Sequence, residues 1–97
     1  YQALWRADAP ASETAQQFLQ ALARQAGQLD APGVLVLGPV PAPLSRRDNR
    51  YRWQLLMQAE RRSALHGLLD RLLDRLPELD SARKVRWSMD VDPVDLF

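Results

Sequence analysis

The chain contains no cysteine, a single histidine, and only four glycines, which stand apart at positions 27, 33, 38 and 67. Without cysteine there are no disulfides and no thiolate metal sites, and the composition fits a reducing compartment. The lone His66 cannot build a His-rich metal centre or an imidazole pair. Isolated glycines cannot form the Gly-rich loop that cradles phosphates. No serine sits in a nucleophile motif, so the reading is of a domain without a catalytic or metal site of its own. No apolar run approaches the ~20 residues of a membrane helix. There is no initiator Met and no signal-peptide layout. The 97 residues therefore read as one domain, 1–97, cut from a longer protein. Charge is balanced, with 13 basic and 12 acidic residues, so bulk charge names no partner.

What is present is patterning. From Lys84 to Asp92 the chain alternates: Val85, Trp87, Met89 and Val91 point one way, and Lys84, Arg86, Ser88, Asp90 and Asp92 the other. That is a half-buried strand, and Pro93 ends it. Residues 1–7 read as a first strand, broken by Asp8, Ala9 and Pro10; Leu4 and Trp5 cannot both face the core. Ser12 is a candidate N-cap for a helix carrying Ala15, Phe18, Leu19, Leu22 and Ala26 on one side, with Gly27 as its stop. Val34 to Leu37 is a continuous apolar run, as expected of a strand covered on both faces or central in a sheet. Gly38 to Pro43 reads as an extended, semi-rigid arm, and Ser45 to Asn49 as a polar tip. Arg50 to Ala59 alternates again, with Tyr51, Trp53, Leu55 and Met57 on one face. Leu65, Leu68, Leu69, Leu72, Leu73 and Leu76 form the stripe of a second helix, ended by Pro77.

The resulting order, βαββαβ, predicts an α+β two-layer sandwich. Two helices pack on one face of a four-stranded, mainly antiparallel sheet. The open face would carry Arg50, Arg52, Lys84 and Arg86. Between residues 44 and 62, six arginines face only Asp48 and Glu60. Guanidinium forks suit phosphate oxygens, so Arg46, Arg47, Arg50, Arg52, Lys84 and Arg86 are candidate nucleic-acid contacts. Tyr51 and Trp53 lie among them, either as core or as partners in that contact. Asp90 and Asp92 are either a cation-binding carboxylate pair or a charged strand end. Arg62, His66 and Asp70, spaced by four, line one flank of the second helix and could form a small anion pocket.

Several segments resemble the PriA family of bacterial replication-restart helicases. They are Ala3-Leu4-x-Arg6-Ala7, Leu37-Gly38-Pro39 with Pro41-Ala42-Pro43-Leu44, and Arg50-Tyr51-Arg52 leading into Gln54-Leu55-Leu56. Arg62-x-x-Leu65 follows, then Arg83-Lys84-Val85-Arg86-Trp87 with Asp90-Val91-Asp92-Pro93. The resemblance implies the C-terminal domain of an ATP-dependent 3′→5′ DNA helicase that acts on stalled forks. It implies partners in branched and single-stranded DNA, the acidic C-terminal tail of single-stranded DNA-binding protein, and other primosome proteins. The expected form is a monomer in the cytoplasm, at the nucleoid, without a membrane. It implies ATP, Mg and Zn in the parent protein and no cofactor in this domain. It also assigns tail binding to Arg62, with His66 standing where enteric members carry Gln. The alternative reading is a non-catalytic packing or protein-interaction domain that does not bind nucleic acid.

Overall fold

The computed structural model describes residues 1–93. Its elements are strand β1 (Gln2–Ala9), helix α1 (Ser12–Gln28), strands β2 (Val34–Arg47) and β3 (Arg50–Ala59), helix α2 (Arg62–Arg75) and strand β4 (Arg86–Val91). The sheet order is β2-β3-β1-β4, with every neighbouring pair antiparallel. The expected α+β βαββαβ sandwich is therefore present.

Alternation decides which sheet face the helices cover. Ala3, Trp5, Ala7 and Ala9 of β1 join Leu55, Met57 and Ala59 of β3 in one core cluster with residues of both helices. Leu4 also is buried, at 1% exposure, but lies outside that cluster on the opposite face. In α1 the buried set is Ala15, Phe18, Leu19, Leu22 and Ala26. In α2 it is Leu65, Leu68, Leu69 and Leu72, with Leu76 buried just beyond. Burying one such leucine contributes about 1.5–3 kcal/mol. The stripe is narrower than expected, because Leu73 is 37% exposed. Pro77 falls in a 3-10 turn, Leu76–Glu78, that follows the helix.

Several local expectations need correction. Ser12 is not the N-cap. Ala11 takes that place in extended conformation, and the Ser12 hydroxyl instead accepts a hydrogen bond from Trp53 Nε1 at 3.0 Å. Gly27 does not stop α1, which ends when the Leu29 N–H donates to the Gln25 carbonyl. Asp8 and Ala9 do not break β1 but belong to it. The apolar run Val34–Leu37 is neither central nor doubly covered. It opens edge strand β2, where Leu35 and Leu37 are 56% and 42% exposed. The proline arm is part of that strand, interrupted by register shifts between Leu37 and Val40 and between Pro41 and Arg46. An edge position tolerates Pro39, Pro41 and Pro43, which have no N–H for a ladder. The first shift depends on Gly38 at φ 112, where a Cβ would stand 3.1 Å from the Val40 nitrogen and 3.2 Å from the Gln54 oxygen.

Strand β4 is shorter than expected. Lys84 ends a 3-10 turn, Asp80–Lys84, so it is not on the open sheet face. Trp87 does face the helices, its ring 5.7 Å from that of Trp5 and 6.5 Å from that of Phe18. It nevertheless stays 39% exposed, since an edge strand has a neighbour on one side only.

Candidate nucleic-acid interface

The β2–β3 hairpin closes on two residues, with Arg47 opposite Arg50 and Arg46 opposite Tyr51. Asp48 and Asn49 at its tip have φ of 55° and 61°. Positive φ at both central positions is the type I′ geometry that suits the twist of a hairpin, and Asn and Asp tolerate it better than most residues. This turn projects arginines. The Arg46 guanidinium lies over the Tyr51 ring, 5.4 Å from its centroid, and donates to Asn49 Oδ1 at 3.4 Å. Arg47 Nε is 3.9 Å from Asp48 Oδ2, with both side chains largely in solvent. Such an exposed pair is worth little and leaves the cation available.

One strand pitch inward the charges are already partnered. Arg50 Nε and Arg86 Nε both donate to Asp8 Oδ1, the second at 2.9 Å, and Arg50 Nη2 also donates to the Asp8 carbonyl at 3.1 Å. Burial pushes the Asp8 carboxyl up, but the hydrogen bonds and charges of Arg50 and Arg86 outweigh it and hold it below its ordinary value. Arg50 and Arg86 therefore tie β3 and β4 to β1 before they do anything else. Arg52, opposite Asp8 in register, is half-buried and makes no hydrogen bond or ion pair among the described residues. Lys84 is exposed in the turn before β4, apart from the hairpin tip in the chain and outside the sheet.

Asp90 and Asp92 do not form a carboxylate pair. Asp90 is bonded to Arg6 Nη1, and Asp92 Oδ1 accepts the Gln2 N–H at 2.9 Å. Among the described residues no cluster of three potential ligands could hold a metal ion. Sequence reasoning missed Asp8 as the hub of this face. The available signal was parity: Gln2, Leu4, Arg6 and Asp8 share one side of β1.

Arg62 is the exposed first residue of α2, and His66 is half-buried one turn on. The His66 Nε2 is buried without a hydrogen-bond partner among the described residues. No hydrogen bond joins it to Arg62. A groove of about 720 Å³ lies at the same end of the sheet, lined by Tyr1, Pro32, Leu35, Gln58 and Ala64, and by Arg61 rather than Arg62. No helix among the described residues is long and apolar enough to cross a membrane.

By its topology this is a ferredoxin-like α+β domain carrying a basic hairpin. A dimeric ferredoxin-like protein from an uncultured marine organism superposes with a TM-score of 0.60 at 12% identity, covering 92% of this chain and 89% of that one. The de novo designed protein Foldit4 gives a TM-score of 0.63 at 11% identity, covering 92% of this chain and 91% of its own. At such identities the likeness concerns fold alone. Sequence goes further. Residues 1–94 match the family described as Primosomal protein N C-terminal domain, and the chain belongs to that family. The Replication restart protein PriA of Haemophilus influenzae is 38% identical over 96 residues, covering 99% of this chain. That of Buchnera aphidicola is 36% identical over 58 residues, covering 60% of this chain. The chain spans 13% of the length of the first relative and 8% of the second.

Proposed function

We propose that the chain is the DNA- and partner-contacting domain of an ATP-dependent 3′→5′ restart helicase that works at stalled forks in the bacterial nucleoid. The observation that carries the DNA contact is the type I′ hairpin, which holds Arg46 and Arg47 in solvent away from any buried carboxylate. Arg52 shares the open face with Arg47, while Arg46, paired with Tyr51, stands on the helix side of the hairpin. Arg50 and Arg86 contribute a field already partly neutralised by Asp8, and Lys84 adds a separate cation. No arrangement on this surface reads base edges, so the contact is with phosphates, as suits branched and single-stranded DNA of any sequence. Replacing Arg46, Arg47 and Arg52 with Ala should weaken binding to unrelated fork sequences to the same degree. Unchanged affinity at low salt would remove the hairpin from the interface.

The same reading places the acidic tail of single-stranded DNA-binding protein at the start of α2, with Arg62 as its cation and His66 beside it. Support comes from the exposure of Arg62 and from the neighbouring groove with Arg61 on its wall. In the intact helicase, Arg62→Ala should lower affinity for a tail peptide while leaving ATPase unchanged. Equal affinities would exclude this position. ATP, Mg and Zn belong, in this account, to other parts of the parent protein.

A further inference from the structure

We propose that strand β4 is an interface for a second copy of this chain, the two copies pairing edge to edge about a two-fold axis at Ser88. β4 is one of the two edges of the sheet, and the edges differ. β2 carries Pro39, Pro41 and Pro43, which have no N–H to give a further strand. Arg86–Val91 contains no proline. Just beyond it, the Asp92 N–H donates to the Gln2 carbonyl of β1 at 2.7 Å. Backbone groups of successive strand residues point to opposite sides. Arg86, Ser88 and Asp90 therefore direct theirs to β1, and Trp87, Met89 and Val91 direct theirs outward. Such an open row is a template for another strand.

The order of charges selects the partner. Arg86 and Asp90 stand two residues before and two residues after Ser88, on the face away from the helices. In an antiparallel pair centred on Ser88, Arg86 of each copy lies opposite Asp90 of the other, so the strand is complementary to itself. The same register sets Trp87 opposite Met89, whose outward N–H and C=O groups exchange hydrogen bonds, and Val91 opposite Val85. These four side chains are apolar and share the helix side, where Trp87 and Val91 are left 39% and 38% exposed in a single copy. A slip of one residue would misalign both the outward backbone groups and the two faces. Arg86 and Asp90 are already held by Asp8 and Arg6, yet their side chains remain 68% and 51% exposed. The contact thus joins two existing ion networks across the seam. Because Arg86 lies at the hairpin end of β4, the two basic tips then point to opposite ends of one continuous sheet. The inference does not use the DNA contact, and either can fail without the other.

Sedimentation of the 97-residue chain over a wide concentration range is the test. The wild type should associate to a dimer. A monomer at every concentration, the form the resemblance implies, would overturn the interface. Ser88→Glu sets two carboxylates against each other across the axis, while within one copy the new carboxylate lies opposite Arg6. It should keep the melting midpoint and weaken dimerisation severalfold; undiminished dimerisation would place the contact elsewhere. Arg86→Asp and Asp90→Arg should each weaken association, because each sets like charges opposite one another. An equimolar mixture of these two variants restores opposite charges at both positions and should recover the dimer. Absence of recovery from two folded variants would contradict the register. If either reversal fails to fold, Ser88→Cys decides. Opposed residues of a non-hydrogen-bonded pair have Cα atoms about 4.5 Å apart, within the span of a disulfide. The chain has no other cysteine, so oxidation should give a covalent dimer severalfold faster than with Asp70→Cys on the exposed face of α2. Equal rates would exclude pairing at Ser88.

Discussion

Asp8 takes hydrogen bonds from two guanidiniums on a sheet face that no helix among the described residues covers, and its carboxyl is held below its ordinary value of 3.8. A depressed folded-state value means that folding favours the charged form. The stabilisation is complete above the unfolded value and disappears as pH falls through the lower folded value. Asp8→Asn should therefore lower the melting midpoint at neutral pH. With the side chain 25% exposed, the loss is discounted to about 1 kcal/mol, or roughly 4–8 °C for a domain of this size. Melts of both proteins between neutral and strongly acidic pH should converge as Asp8 protonates. A gap that stays constant with pH would mean the ion pairs are not its cause. In the sequence Asp8 reads as a strand breaker, because Asp next to Ala-Pro is a common turn signal. Only its register opposite Arg52 and Arg86 reveals the hub.

At the scale of elements, the stripe of α2 separates two leucines that look alike in sequence. Leu69 is 2% exposed and Leu73 37%. Leu69→Ala should destabilise the domain by about 2–5 kcal/mol, because it removes contacts and leaves a cavity. Leu73→Ala should fall near the ±0.5 kcal/mol of surface changes. Equal losses in urea titrations would contradict the helix orientation. The hairpin allows the opposite sign. Asn49 already holds φ 61°, which Gly adopts without strain, so Asn49→Gly should leave stability unchanged or raised. Asn49→Val should lower it by about 1–2 kcal/mol, the cost of a left-handed conformation for an ordinary L-residue. Helical periodicity made both helices legible beforehand. The hairpin was not, because three prolines read as an arm when the ladder beyond them is invisible. A strand that loses register twice keeps no steady alternation along its sequence.

For the molecule as a whole, element order and most of the core facing were readable because β3 and both helices each carry a clean apolar periodicity; β1 was ambiguous, since Leu4 and Trp5 are adjacent and both end buried, on opposite faces. Leu55, Met57 and Leu69 all lie on the face their spacing assigns, and the structure resolves the first strand in favour of Trp5. Edge and centre were not readable. Nothing in Val34-Leu35-Val36-Leu37 distinguishes a buried strand from an edge strand that leaves Leu35 and Leu37 in solvent. The same ambiguity affects the basic residues. The sequence separates Arg46 and Arg47 at the tip from Arg50, Arg52 and Arg86 on the sheet face, but only the structure shows that Arg50 and Arg86 are already paired with Asp8. The central claim is that the tip carries the phosphate contacts. It is tested most directly by titrating the chain with fork DNA over a range of salt concentrations, for the wild type and for Arg46→Ala with Arg47→Ala. Each phosphate contact contributes a log–log slope of about −0.9 on duplex DNA. The double variant should bind more weakly at low salt, with a slope shallower by roughly two contacts. Identical slopes and affinities for the two proteins would contradict it.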